Sequence, residues 1–124
     1  MVTLTIAGRL AGLNEYTRAC RSNRYLGAKM KKGAEDYIML HINTQLKGVQ
    51  YENPVRLSFR WYEKDRKRDL DNIAMSKKFI LDALVKAGTI KTDSWKGVIG
   101  FADEFFVDRT NPRIEVEIEE VQHE

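Results

Sequence analysis

The sequence predicts an α+β domain, with two helices packed on one face of a mixed four-stranded sheet in the order β-α-β-α-β-β. Three observations predict it. Val55, Leu57, Phe59 and Trp61 alternate with Arg56, Ser58, Arg60 and Tyr62, the period of a strand with one buried face. Ala34, Ile38, His41, Ile42 and Leu46 recur at intervals of three and four, the stripe of a helix. Ile114, Val116 and Ile118 alternate with Glu115, Glu117 and Glu119, a second half-buried strand.

Taken in order, Val2 to Ala7 alternates apolar and polar residues and stops near Gly8, as a strand would. Gly8 to Gly27 is basic and polar without a clear period, and reads as a long irregular connection. Ala28 to Leu46 reads as a helix, ended by Gly48. Pro54 opens the strand Val55 to Tyr62. A second helix is expected from about Ile73 to Ala87, with Ile73, Ser76, Lys77, Ile80, Leu84 and Ala87 on one stripe and Gly88 as its stop. Strands around Val98 to Val107 and Arg113 to Val121 follow, with turn residues Asp108-Arg109-Thr110-Asn111-Pro112 between them. No repeat, low-complexity segment or linker interrupts the chain, so residues 1–124 read as a single domain.

The charge is modest in sum and uneven in place. Twenty-one basic and 18 acidic residues leave +3. Arg18, Arg21, Arg24, Lys29, Lys31 and Lys32 occur with no acid among them, and Arg60, Lys64, Arg66, Lys67 and Arg68 form a second basic cluster. The acids gather late, from Asp103 and Glu104 through Glu115, Glu117, Glu119 and Glu124. One positive face is the expectation, suited to a phosphate backbone. The single cysteine, Cys20, allows no internal disulfide and fits a reducing cytoplasm. The N-terminus lacks signal-peptide features, and no apolar run approaches the ~20 residues that span a bilayer. A cytoplasmic protein without membrane partners is expected.

The chemistry gathers at Arg66-Lys67-Arg68-Asp69-Leu70-Asp71-Asn72, followed at a distance by Thr92-Asp93-Ser94. Carboxylates are the usual ligands of hard divalent cations. Beside a basic run they suggest metal-assisted cleavage of a phosphodiester. If Asp69 to Asp71 is extended, both carboxylates point one way and Leu70 is buried opposite. Asp71 and Asn72 also suit helix capping, which leaves Asp69 unexplained. For Asp93 to join Asp71, either the chain after Gly88 runs back along the helix or Asp93 comes from another subunit. Lys78 lies seven residues past Asp71, about two helical turns, and so is expected on the same side. Lys77 falls on the apolar stripe, where its stem can snorkel. His41 reads as a core-edge residue, and neither it nor His123 builds a metal or catalytic cluster.

Lys67-Arg68-Asp69-Leu70-Asp71-Asn72, then Leu81-Asp82-Ala83-Leu84-Val85-Lys86-Ala87-Gly88, then Asp93 five residues on, resemble the RusA-type Holliday junction resolvases. Leu13-Asn14-Glu15-Tyr16 is similar to the Asn- and Tyr-containing loop of that family. The resemblance covers nearly the whole chain. It implies a homodimeric, Mg²⁺-dependent endonuclease, with Mn²⁺ able to substitute, that resolves four-way DNA junctions by paired symmetric nicks in recombination and repair. It implies that Asp69, Asp71 and Asp93 are the essential metal-binding carboxylates. It also implies a catalytic lysine early in the second helix. The interval from Asp71 to Leu81-Asp82-Ala83-Leu84 is about one turn longer than in the best-known member. Aligned from the right, Lys78 takes the lysine position; aligned from the left, Met75 does. Lys78 is preferred and Lys77 is the fallback. DNA contacts are expected from Asn14, Arg18, Arg21, Arg24, Lys29, Lys31, Lys32, Arg66, Lys67 and Arg68. The alternatives are a nuclease for other branched DNA on the same scaffold, a non-catalytic DNA-binding module, and a structural protein whose acids cap helices.

Overall fold

Alternating side chains decide how the sheet is assembled. The computed structural model describes residues 1–122; His123 and Glu124 lie outside them. The described residues form β1 (Val2–Ala7), α1 (Leu13–Ser22), α2 (Arg24–Gln45), β2 (Val55–Glu63), α3 (Leu70–Ala74), α4 (Lys77–Lys86), β3 (Val98–Val107) and β4 (Arg113–Glu120). The strand order is β1-β4-β2-β3. β4 runs antiparallel to both β1 and β2, and β3 runs parallel to β2. Register pairs Leu4 with Val116, Ile6 with Ile114, Leu57 with Ile118 and Phe59 with Val116, so the apolar sets share one face. Against that face lie Ile38 and Ile42 of α2, Leu46 at its C-cap, and Phe79, Ile80, Ala83 and Leu84 of α4, all buried. The predicted α+β class and its four-stranded mixed sheet are therefore what the chain forms.

Two local departures have physical causes. First, the connection expected to be irregular contains α1, and α2 starts four residues early. α1 is mostly polar and buries no residue fully, so its thin apolar side of Leu13, Tyr16 and Cys20 does not stand out in the sequence. It is fixed at its ends and by Tyr16 against Phe79. Asn23 donates its N–H to Ala19 O at the end of α1, while its side chain accepts from Leu26 N at 3.0 Å to cap α2. Second, the single helix expected over 73–87 is two. The buried Ser76 hydroxyl donates to Ile73 O at 3.2 Å, and such back-bonding competes with the helical ladder. In the sheet, β3 and β4 flank β2 and do not pair with each other. The turn segment between them crosses the end of β2, where Asp108 N donates to Glu63 O at 2.7 Å.

α4 ends as its glycine predicts. Gly88 has φ +79°, Thr89 N donates to Leu84 O at 3.0 Å and Gly88 N to Val85 O at 3.0 Å, a Schellman stop. Any side chain at Gly88 must adopt the left-handed region. Gly88→Ala is expected to cost about 1–2 kcal/mol, read as a lowered urea midpoint with an unchanged slope.

The sheet face away from the helices is ion-paired. Arg60 bridges Glu115 at 2.9 Å and Glu117 at 3.0 Å, and Arg113 holds Glu115 at 2.8 Å. These two guanidiniums hold the Glu115 carboxyl below its usual range. That face therefore offers little net positive charge to a polyanion.

Candidate active site

The Asp-Leu-Asp-Asn segment opens a helix instead of running extended. Ile73 N donates to Asp69 O at 3.1 Å, so Asp69 is the N-cap of α3 and Asp71 lies in its first turn. This corrects the expectation that Leu70 is buried opposite the two acids; Leu70 is 56% exposed. Asp69 is extended (φ −68°, ψ 157°), yet its carboxylate makes no capping hydrogen bond. An aspartate at an N-cap usually spends its oxygen on the helix N–H groups. Here it does not, and it opens onto a groove lined also by Asp65, Arg66, Leu70 and Glu104.

The segment is anchored from behind. Arg68 donates to both oxygens of Glu63, at 3.1 and 2.9 Å, and to Leu10 O at 3.1 Å. Its guanidinium is thus turned inward, with the side chain only 12% exposed. Asn72 Oδ1 accepts from Asn14 N at 3.0 Å, which ties the start of α1 to α3. A Cβ on Gly12 would sit 2.5 Å from that same oxygen and 2.8 Å from Arg68 Nη1. Glycine is what lets the chain pass this close to the acidic segment. Asn14 and Asn72 therefore make a joint between the basic arm and the acids.

Asp93 lies beside the start of α4. The chain after Gly88 does run back along α4, and Asp93 accepts from Lys78 Nζ at 2.8 Å. Thr92-Asp93-Ser94 is held by its own hydroxyls. Ser94 N donates to Thr92 Oγ1 at 3.2 Å, and Gly97 N and Val98 N both donate to Ser94 O at 2.9 Å. Lys78 keeps Asp93 below the usual carboxylate range. In return Asp93 first, and Asp82 second, push Lys78 up. The break at Met75–Ser76 removes the premise that Lys78 follows Asp71 on one continuous helix. Lys78 faces Asp93 and Asp82 instead.

Lys77 and Lys78 have different surroundings. Lys77 Nζ bonds Asp103 at 2.7 Å and lies 5.1 Å and 4.6 Å from the ring centres of Phe59 and Phe101. The second oxygen of Asp103 accepts from Trp61 Nε1 at 2.8 Å. Lys77 therefore straps α4 to the edge strand, while the Lys78 side chain is 58% exposed.

The basic residues divide as well. Arg18 and Arg21 line a surface groove on α1 with Asn14 and Thr17. Arg24, Lys29, Arg66 and Lys67 are exposed. Lys31 reaches Asp82 at 3.4 Å, and Lys32 pairs with Asp36 at 3.2 Å on the surface of α2. His41 sits at the core edge as expected, with Nδ1 2.9 Å from Tyr37 O and Nε2 accepting from Ala7 N. Cys20 is exposed, and its Sγ lies where a Cβ on Gly27 would fall, so it marks the crossing of α1 and α2. Among the described residues no three acidic, histidine or cysteine side chains gather around one possible ion position. Asp69 and Asp71 are two residues apart at the start of α3, and Asp93 stands apart on Lys78.

The protein-family model described as Endodeoxyribonuclease RusA matches residues 11–119. The chain belongs to the RusA family. The match runs from the turn before α1 to the last residues of β4, so it takes in both acidic segments, Lys78 and the basic helices. This RusA-family protein is accordingly an endodeoxyribonuclease, a hydrolase of a family that acts on Holliday junctions. No curated protein is similar enough to the chain to count as a match. No helix among the described residues is long and apolar enough to cross a membrane.

Sequence reasoning missed Glu63, Asp82 and Asp103 as partners of the site. Spacing could have found Asp82, four residues after Lys78 on one helix. Nothing local signals that Glu63 holds Arg68 or that Asp103 joins Trp61 to Lys77.

Proposed function

We propose that this RusA-family enzyme is a homodimeric, Mg²⁺-dependent resolvase that cuts four-way junctions by paired symmetric nicks. One observation carries the reading. Asp69 and Asp71 stand at the mouth of α3 with Asp69 free of capping, and the basic arm α1 is pinned to them through Asn14 and Asn72. Two hard oxygen ligands beside a phosphate-binding arm suit a divalent cation held against DNA. Their fit to Mg²⁺ rests on that donor chemistry, with Asp93 as the third carboxylate. When bound, such an ion supplies an activated water and offsets charge on the phosphoryl group.

The chain's own residues do the rest. Arg18 and Arg21 on α1, Arg24, Lys29, Lys31 and Lys32 on α2, and Arg66 and Lys67 grip phosphates and set the register of the DNA. Arg68 acts from behind, fixing the acidic segment through Glu63. Lys78 is the catalytic lysine, exposed and beside Asp93, and it offsets charge building on the phosphate. Lys77 remains structural. The dimer reading is supported by the edge strand β3, whose Phe101, Phe106 and Val107 are 49%, 39% and 42% exposed. An unpaired, apolar edge invites pairing with a second chain. Two sites related by a dyad would match the symmetry of a four-way junction.

A nicking assay on a synthetic four-way junction, a fork and a linear duplex tests this, with and without Mg²⁺. Paired nicks on the junction, absent after chelation, are expected. Preferred cutting of the fork would assign the same chemistry to another branched substrate. Binding without cleavage in Mg²⁺ or Mn²⁺ would overturn the metal-dependent reading.

A further inference from the structure

We infer that Asp82 is a positioning residue for cleavage, the carboxylate that holds Lys78 Nζ at the site once Asp93 is engaged elsewhere. The inference rests on the assignment of Lys78 to the chemistry. In the structure Lys78 Nζ lies 2.8 Å from Asp93 Oδ2 and 3.1 Å from Asp82 Oδ1. Asp93 is also proposed to hold the cation, and a carboxylate facing a divalent ion holds an ammonium less firmly. A lysine on a four-carbon stem with one exposed partner would then swing into solvent. Asp82 prevents that swing because it belongs to α4 itself and moves with Lys78.

Three features of Asp82 fit this task better than ordinary helix support. Its side chain is only 19% exposed, whereas surface pairs that contribute little are open to water. Its order along the helix, with lysine N-terminal to the acid, is the weaker orientation for stabilising a helix. It is also shared. Its other oxygen lies 3.4 Å from Lys31 Nζ on α2, a residue of the basic surface. Lys31, Asp82, Lys78 and Asp93 thus form a row of alternating charge from the DNA-gripping helix to the proposed metal loop. Asp82, Lys31, Lys78 and Asp93 all border one groove between α2 and α4.

The test measures the single-turnover nicking rate and the junction dissociation constant separately, in Asp82→Asn, Asp82→Glu, Lys78→Ala and the double variant Asp82→Asn/Lys78→Ala. Asp82→Asn keeps the size of the side chain and removes its charge. It is expected to slow cleavage roughly 10- to 100-fold, the scale lost with a misplaced catalytic group, with junction affinity within about twofold. Asp82→Glu keeps the carboxylate within reach of Lys78 and is expected to restore most of the rate. The double variant is expected to be no slower than Lys78→Ala, because Asp82 acts only through that lysine. A rate for Asp82→Asn equal to wild type, while Lys78→Ala is slow, would overturn the inference and leave Lys78 standing. A wild-type rate in Lys78→Ala would overturn both. Effects that multiply in the double variant, or affinity lost along with rate, would show that Asp82 acts on its own or merely supports the fold.

Discussion

Asp71→Asn is expected to abolish nicking, with a loss on the order of 10³-fold or more, while junction binding persists. The scale is that lost when electrostatic support of the reacting phosphate is removed, which Asp71 would supply through the cation it is proposed to hold. Asp71 lies exposed in the first turn of α3, and its removal leaves Asn14–Asn72 and Arg68–Glu63 in place. Binding should even tighten slightly, since a negative charge beside phosphate is gone, and it should keep its dependence on salt. The same variant resolves the placing of Asp93. Asp71→Asn and Asp93→Asn chains, each inactive alone, are mixed and allowed to exchange subunits. If each site takes Asp69 and Asp71 from one chain and Asp93 from the other, mixed dimers regain one intact site and nick one strand. If every site is built within one chain, the mixture stays inactive. Wild-type nicking by Asp71→Asn itself would remove that acid from the chemistry.

Trp61→Ala is expected to lower stability by about 3–5 kcal/mol, the range for emptying a large buried aromatic site. Trp61 is 1% exposed, stacks on Phe59 with ring centres 5.4 Å apart and on Phe105 at 6.4 Å. Its indole N–H also ends the Trp61–Asp103–Lys77 strap that ties β2 and β3 to α4. Truncation therefore opens a cavity and leaves Asp103 with a single partner. Trp61→Phe keeps most of the volume and loses the hydrogen bond, so it isolates the strap, at roughly 1 kcal/mol. Urea unfolding followed by far-ultraviolet circular dichroism measures both. A Trp61→Ala midpoint near wild type would show that the central strand repacks freely.

What the sequence made legible was whatever repeats. β2 and β4 alternate strictly, and their apolar residues are buried as that alternation requires. The stripe of α2 is likewise real at Ile38, Ile42 and Leu46. What escaped was short, mostly polar or interrupted. α1 is a helix with nothing buried, so polarity hid it. The break between α3 and α4 is a tightened turn at Met75 and Ser76, both still in the αR region, and neither residue type announces it. The acidic segment is legible by residue type and spacing, while its conformation is left open between an extended run and a helix start. A spacing of two fits a strand and a helix start equally, and Leu70 was assumed to need burial. Arg68 was counted with its basic neighbours because charge is visible in a sequence, whereas a salt bridge to Glu63 is visible only in space.

The way α1 is mounted has a consequence for how the molecule moves. It hangs between Asn23 at one end and the Asn14–Asn72 bond at the other, with Tyr16 resting edge-on against Phe79 at 5.3 Å. Opening it exposes little apolar surface, so its amides should exchange with solvent well before those of α2, whose stripe is part of the core. Local opening of this kind detaches Arg18 and Arg21 together with the segment that backs the acids. If DNA grips the arm as proposed, it pulls the equilibrium toward the closed form, in which Arg18 and Arg21 are held together. Part of the binding free energy is thereby converted into order around Asp69 and Asp71, and a strand that fails to engage the arm leaves those acids less well held.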